Sequence, residues 1–158
     1  MSDIRAKVLT VSDGVVAGTR TDTSGSGLVE FLASHGFDVV EHAVCADGRD
    51  VVSERLRSMC HDFAGLVVTT GGTGFAPRDQ TPEGTRDVIE RDAPGLAEAM
   101  RGVNPLGRLS RGTAGIRGRA IICNTPGSPK GCIEQLAAII DVLPHALALL
   151  DDRPAPHG

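Results

Sequence analysis

Apolar and polar positions along the chain follow two different rhythms. Short, almost continuous apolar runs are typical of buried strands, and they occur over 6–11, 37–45, 66–70 and 119–124. Apolar residues that recur every three or four positions predict helices over 24–35, 51–63, 82–91, 95–103 and 132–150. Pro144 marks a point where the last helix could break. Strands that alternate with helices predict an α/β domain, a three-layer αβα sandwich with a mainly parallel central sheet.

Polar loops follow the predicted strands, and they span 12–25, 46–50, 71–82 and 124–131. The carboxyl ends of parallel strands meet at one edge of a sheet, where the ligands of open α/β domains bind. We therefore expect these four loops to gather at that edge. The segment 104–118 is rich in glycine and proline and is predicted to be irregular. Asp50 is the predicted N-cap of the helix over 51–63.

Length and composition restrict the possible functions. A chain of 158 residues predicts one domain, residues 1–150, followed by a polar tail, 151–158, that we expect to be flexible. A net charge of −4 and the absence of Trp and Tyr argue against a nucleic-acid binder, which needs a basic surface and stacking aromatic rings. No apolar run approaches the ~20 residues of a membrane helix or forms a signal peptide, so we expect a cytoplasmic protein without membrane contact.

The four cysteines give no sign of a metal or redox site. None of Cys45, Cys60, Cys123 and Cys132 stands in a C-x-x-C spacing. Since two of them fall in apolar strand-like runs, we expect buried, reduced thiols.

The most informative stretch is Thr69-Thr70-Gly71-Gly72-Thr73-Gly74, which directly continues a buried apolar run. Three glycines in four positions let backbone N–H groups approach an anion closely. The stretch is neither a P-loop, because no G-K-[ST] follows, nor a dinucleotide fingerprint, because the next helix begins too late. By itself it could be only a tight connection. The candidate phosphate-binding residues are Thr70, Gly71, Gly72, Thr73 and Gly74.

Two aspartates beside the same sheet edge are candidate Mg²⁺ ligands. Asp79 follows the glycine-rich stretch, and Asp47 follows the second strand. Asp79 could instead cap the helix that begins at Pro82, and Asp47 could be a turn residue. A Mg²⁺ ion bound to a triphosphate needs only one or two protein carboxylates, because phosphates and waters fill its other positions. The pair therefore predicts a metal–nucleotide site.

A second Gly/Pro loop, 124–131, ends a strand and precedes a helix. Helix starts bind anions favourably, so Asn124, Pro126, Gly127, Ser128 and Lys130 are candidate ligand contacts. A rigid Pro-Gly connection is the alternative. Ser110 and Arg111 could clamp an anion, or Arg111 could simply be solvated.

Together these motifs resemble the molybdopterin adenylyltransferase family, the Mog and MoaB-like domains of molybdenum cofactor synthesis. The matching segments are 10–13, 22–25, 69–74, 77–83, 92–96, 109–111, 114–118 and 124–131. Their number and order make the resemblance far more specific than one glycine loop. Ala46 stands before Asp47 where many relatives have proline, and Thr125 replaces a residue that is often apolar, but neither change removes a proposed chemical group.

The resemblance implies adenylyl transfer from ATP to molybdopterin, with release of pyrophosphate. Asp47 and Asp79 would be the catalytic pair that holds Mg²⁺, while Thr73 and the Gly71–Gly74 amides would bind nucleotide phosphates. The second loop, Ser110 and Arg111 would complete the nucleotide and pterin pocket, and Asp13 is a further candidate. The resemblance also implies a homotrimer and hand-over of the product to a molybdenum-insertion protein.

An alternative from another class is a non-catalytic pterin-binding or scaffold relative, MoaB-like or like the related domain of competence-damage proteins. Retention of both Asp47 and Asp79 favours the enzyme. A general phosphotransferase is disfavoured because the chain has no kinase signature.

Overall fold

The computed structural model describes residues 4–151, which are built around one six-stranded sheet with the strand order β2-β1-β3-β6-β5-β4. The strands are β1 (Arg5–Val11), β2 (Asp38–Cys45), β3 (Gly65–Thr70), β4 (Arg91–Asp92), β5 (Ala114–Arg117) and β6 (Ala120–Thr125). The helices are α1 (Asp13–Val16), α2 (Thr23–Ser34), α3 (Arg49–Cys60), α4 (Thr81–Arg86), α5 (Pro94–Arg101), α6 (Pro129–Ala137) and α7 (Leu143–Leu150), with a 3-10 helix over Pro105–Leu109.

Four neighbouring strands, β2, β1, β3 and β6, run parallel, and β5 and β4 complete the sheet in antiparallel fashion. Thr10 pairs with Thr70, and Thr70 pairs with Thr125, so three parallel strands end side by side. The predicted, mainly parallel α/β sheet is confirmed. This register brings the loops that follow these strands to one edge.

The core lies in two layers, one on each face of the sheet. Alternate residues of β3 divide between them, since Leu66 and Val68 pack with α2, α5, α6 and α7, whereas Val67 packs with α3. All six residues of β3 are buried, which explains its continuous apolar run. The predicted three-layer arrangement is therefore present.

Two of the six strands were missed. The segment 104–118, predicted to be irregular, contains the 3-10 helix and β5, and β4 lies shortly before it along the chain. Strands as short as these show too little alternation to be recognised, and they exist because β5 pairs with β6 and β4 with β5. The polar loop after β1 likewise contains α1, whose first turn is capped by Ser12 Oγ, the acceptor of a 3.2 Å bond from Val15 N–H.

Several helix boundaries also differ from the prediction. The helix expected over 82–91 ends at Arg86, because the chain then turns to join the sheet through Glu90 N–H, which donates to Ile116 O. The helix expected over 132–150 is two helices, and Pro144 lies in the first turn of the second, where its missing N–H is harmless.

The prediction that Asp50 caps α3 is wrong. Gly48 is the cap, with a φ of 133° that favours glycine, so the helix starts earlier and Asp50 falls in its first turn. A carboxylate there still complements the helix dipole.

All four cysteines are free and buried, as expected. Burial raises the pKa of the Cys45 and Cys60 thiols to about 11 and that of Cys123 to about 12. These thiols are therefore protonated at neutral pH and unreactive. Between residues 4 and 151, no helix is long and apolar enough to span a membrane. Apart from residue 151, the predicted flexible tail lies outside the described residues.

Candidate active site

A cavity of about 940 Å³ opens at the carboxyl edge of the parallel strands. It lies at the upper end of the usual range for small-molecule sites. Residues from each of the four predicted loops border it. Residues of the 3-10 helix, and those between α5 and that helix, border it as well. The expected gathering of the loops is therefore observed.

The first glycine-rich loop has the conformation of an anion cradle. Gly71 and Gly72 have φ values of 101° and 71°, and a Cβ at either position would collide with Val11 O or Thr81 Oγ1. Thr81 Oγ1 donates to Gly71 O at 2.9 Å and so fixes the loop to α4.

The next three backbone N–H groups, those of Gly72, Thr73 and Gly74, have no acceptor among the described residues. Thr73 is buried, yet its hydroxyl has no hydrogen-bond partner in residues 4–151, and it borders the cavity. Successive free N–H groups form the kind of concavity that binds phosphate.

Asp47 and Asp79 both border the cavity next to this loop. A Cβ at Gly72 would lie 3.2 Å from Asp47 Oδ1, and a Cβ at Gly74 would lie 2.9 Å from Asp79 Oδ2. Glycine at both positions thus leaves the carboxylates uncovered. Burial raises the pKa of Asp47, and the charges of Asp13 and Asp79 raise it further against the hydrogen bond from Asp13 N–H.

These features fit a divalent cation. Two carboxylates that repel each other beside an anion cradle provide the hard oxygen ligands that Mg²⁺ prefers. Within residues 4–151 no group of three or more His, Cys, Asp or Glu side chains is arranged to hold a metal. A metal here would therefore also need ligand phosphates and water, which is the usual state of Mg²⁺ in nucleotide sites.

Asp13 lies behind Asp47 rather than on the cavity wall. The two exchange backbone-to-carboxylate hydrogen bonds of 3.0 and 3.1 Å. Arg78 Nε donates to Asp13 Oδ2 at 2.6 Å, and its Nη2 donates to Asp47 O at 2.9 Å. The Arg78 guanidinium lowers the pKa of Asp13. Asp13 therefore positions the Asp47 loop, and any direct ligand contact stays a prediction.

Arg111 is partly exposed, and it does not border the cavity. Its Nη1 donates to Glu83 Oε2 at 2.7 Å, and its Nε donates to Gly74 O at 2.8 Å. Arg111 holds the pKa of Glu83 below its ordinary value. The guanidinium therefore fastens the first loop to α4 instead of projecting freely into solvent, and contact with an anion stays a prediction. The neighbouring Ser110 does border the cavity.

Asn124 is also turned inward. Its Nδ2 donates to Thr69 Oγ1 and Thr85 Oγ1, each at 3.0 Å, and its Oδ1 accepts from Thr113 N–H. It is fully buried and absent from the cavity wall. The structure therefore gives it a role in joining β6 to β3 and α4.

The second loop stands against the first. Thr70 Oγ1 donates to Pro126 O at 2.7 Å, and a Cβ on Gly127 would lie 3.5 Å from Gly71 Cα. Ser128 caps α6 by accepting from Gly131 N–H at 3.1 Å. The predicted residues Pro126, Gly127, Ser128 and Lys130 all border the cavity.

Sequence reasoning missed several cavity residues with polar side chains, among them Arg20, Asn104, Glu134 and Gln135. Arg20 stands in a loop without periodicity, so nothing in the sequence singled it out. Gln135 lies seven residues after the helix cap Ser128, a spacing that puts both on one face of α6 and could have identified it. Asp22 also lies at the cavity, just before α2. It accepts from Thr10 Oγ1 at 2.8 Å and contacts His42 Nε2 at 2.9 Å, and these contacts hold the start of α2 in place.

The parallel sheet, two glycine-containing loops and an acidic pair at one cavity define an α/β domain with a candidate anion-binding site. Residues 7–145 match the family described as "Probable molybdopterin binding domain", and the chain belongs to that family. The resemblance found in the sequence is confirmed.

Similar proteins agree with this family. The chain is 39% identical over 157 residues to the molybdopterin adenylyltransferase of Helicobacter pylori strain J99, in a match that covers 95% of this chain and 89% of the relative. The crystal structure of the molybdopterin biosynthesis enzyme MoaB from Thermus thermophilus superposes with a TM-score of 0.89 at 45% identity, covering 96% of this chain and 98% of that one. A molybdenum cofactor biosynthesis bifunctional protein of Synechococcus elongatus is 31% identical over all of this chain and 50% of its own length.

Proposed function

We propose that this protein transfers the adenylyl group of ATP to molybdopterin in molybdenum cofactor biosynthesis. The observation that carries the proposal is the convergence of Asp47, Asp79 and the free amides of the first loop on one cavity. The relatives named molybdopterin adenylyltransferase support it over a binding-only role.

In the proposed reaction an oxygen of the terminal phosphate of molybdopterin attacks the α-phosphorus of ATP. The bond from that phosphorus to the oxygen bridging the α- and β-phosphates breaks, and pyrophosphate leaves with the electron pair. The chain's task is to position two polyanions and to oppose their repulsion. The amides of Gly72, Thr73 and Gly74 and the Thr73 hydroxyl donate to phosphate oxygens, and Lys130 supplies a positive charge at the second loop.

Asp47 and Asp79 are the proposed ligands of Mg²⁺. The bound ion would supply charge neutralisation at the phosphate oxygens. Asp13 and Arg78 keep the Asp47 loop in place, and Arg111 keeps Gly74 beside Asp79. Asp13, Arg78 and Arg111 would therefore act as positioning residues.

The decisive experiment incubates the protein with ATP, Mg²⁺ and molybdopterin and measures pyrophosphate and adenylyl-molybdopterin. Equal amounts of both products are expected, and replacing Mg²⁺ by EDTA should abolish them. Molybdopterin that binds without release of pyrophosphate would instead establish the binding-only alternative.

We also propose an oligomeric state, a cellular location and a partner for this protein. Residues 1–150 would act as one molybdopterin- and nucleotide-binding unit in a cytoplasmic homotrimer, without nucleic-acid or membrane partners. The product would pass to a molybdenum-insertion protein; the Synechococcus bifunctional relative is consistent with such a neighbouring activity. Analytical ultracentrifugation should give about three times the 16.4 kDa chain mass, and a monomer would contradict the trimer.

A further inference from the structure

Gln135, in the last turns of α6, carries a polar group that the protein itself does not use. Only 6% of the residue is exposed, and its amide has no hydrogen bond to any of residues 4–151. Over the same range, no solvent-inaccessible side-chain nitrogen or oxygen lacks a partner. Both amide atoms must therefore reach open space, and the space that Gln135 borders is the cavity.

The other buried polar side chains on the cavity wall have hydrogen-bond partners among the described residues, apart from Thr73 in the first glycine-rich loop. Their partners are Asp22 for Thr10, Gly127 O for Ser24 and Pro126 O for Thr70. Buried polar groups in folded proteins are almost always paired. A nine-tenths buried carboxamide that faces a cavity is thus suited to pair with a ligand.

The position of Gln135 indicates which part of a ligand it meets. It lies seven residues beyond Ser128, about 10 Å along the helix axis from the second loop. The 3-10 helix also borders the cavity, where its Leu106 is 72% exposed. A ligand whose phosphate lies at the glycine loops would extend its ring system toward the part of the cavity that Gln135 and Leu106 border.

A carboxamide offers an acceptor and a donor side by side. That pair complements the lactam edge of a pterin, N3–H next to C4=O, and also the N6/N7 edge of adenine. Glu134 borders the same cavity and, when ionised, can only accept. The pyrimidinone edge of a pterin has two adjacent donors, the 2-amino group and N3–H, whereas the ring nitrogens of adenine are acceptors. The Gln135 carboxamide and the Glu134 carboxylate together therefore complement a pterin better than adenine.

We infer that Gln135 is a specificity-determining residue whose carboxamide hydrogen-bonds the pterin ring of molybdopterin. This inference rests on the proposed function and adds a residue to the pterin side of the site. Removing the amide leaves the ring's polar edge unpaired, so binding of the pterin is weakened while binding of the nucleotide is preserved.

The test compares Gln135→Met, which keeps the length of the side chain, with Gln135→Glu, which keeps its shape but loses the donor. Ala137→Met is the matched control, since it puts the same side chain on an exposed position of α6 away from the cavity. Anaerobic calorimetry measures dissociation constants for molybdopterin and, separately, for AMP. Both Gln135 variants should bind molybdopterin ~10-fold more weakly, with AMP affinity and melting temperature close to those of the wild type and Ala137→Met.

Unchanged molybdopterin affinity in both Gln135 variants would overturn the inference, as would equal weakening of both ligands. Weaker AMP binding alone would reassign Gln135 to adenine. If the wild type makes pyrophosphate and the variants keep their molybdopterin affinity, only this inference fails. If the wild type binds molybdopterin but makes no pyrophosphate, the proposed function fails while the pterin contact can still be measured.

Discussion

Asp79 lies beside Gly74 on the cavity wall, where its Oδ2 accepts from Ala76 N–H at 3.0 Å. Asp79→Asn keeps an oxygen for that bond but removes the negative charge. We expect the fold and molybdopterin binding to persist, while kcat for adenylyl transfer falls by about 100-fold or more, the usual scale for losing one electrostatic contact to a transition state.

Steady-state kinetics and a melting curve check this expectation. Asp38→Asn is the control, because Asp38 is exposed at the first position of β2, the end far from the site. Turnover by Asp79→Asn equal to that of the control would remove Asp79 from the mechanism.

The surroundings of Asp47 disfavour its negative charge, so removing that charge is expected to make the folded protein more stable. Because burial and two neighbouring carboxylates raise its pKa, its ionised form at neutral pH disfavours the folded state without a cation. Asp47→Asn can retain an acceptor for Asp13 N–H and should melt a few degrees higher than the wild type in EDTA. Mg²⁺ with ATP should stabilise the wild type and not the variant.

Differential scanning fluorimetry in EDTA and in Mg²⁺–ATP measures both effects. A variant that melts lower than the wild type in EDTA would show that the hydrogen bonds of Asp47 outweigh the repulsion. An equal response to Mg²⁺–ATP would contradict its role as a metal ligand.

At the scale of elements, the first glycine loop depends on two properties of Gly72, its positive φ and the absence of a Cβ that would meet Thr81 Oγ1. Gly36 has a φ of 86° but open space around the same position, so Gly36→Ala is a control for backbone strain alone. We expect Gly36→Ala to lower the free energy of unfolding by roughly 1 kcal/mol and to leave activity intact. Gly72→Ala should cost about 1–3 kcal/mol more and abolish ATP binding.

Urea denaturation and calorimetric titration with ATP separate the two glycine variants. Equal losses of stability would mean that Thr81 moves aside without cost. Normal ATP affinity in Gly72→Ala would show that the loop conformation does not bind phosphate.

The elements could be predicted to different extents, for physical reasons. Buried parallel strands produce long apolar runs, so β1, β2, β3 and β6 and the edge where they end followed from the sequence. The strands β4 and β5 follow from pairing with distant residues, which no local pattern records. The same holds within the site, where Arg111 and Asn124 turn to Glu83 and Thr85, partners 28 and 39 positions away, and leave the cavity wall to residues such as Gln135.

At the scale of the whole molecule, ion pairs join the segments that surround the site. Arg78 binds Asp13, Arg49 binds Asp87 and Arg111 binds Glu83, linking α1, α3, α4 and the loops between them. In each pair the arginine lowers the pKa of its carboxyl group below the ordinary value of 3.8 for aspartate or 4.5 for glutamate. Exposed pairs are weak singly, but these three act on one edge of the sheet.

The direction of these pKa shifts predicts acid sensitivity. A carboxyl group with a lowered folded-state pKa stabilises the fold above its ordinary pKa, and this contribution disappears as the pH falls toward the folded-state pKa. The urea midpoint should therefore fall steadily below about pH 4.5. Glu83→Gln should flatten that fall, because it removes one titrating partner, and ~0.5 M NaCl should reduce it by screening the exposed pairs. Midpoints for the wild type and Glu83→Gln that fall in parallel down to pH 3 would place the acid sensitivity outside the Arg111–Glu83 pair.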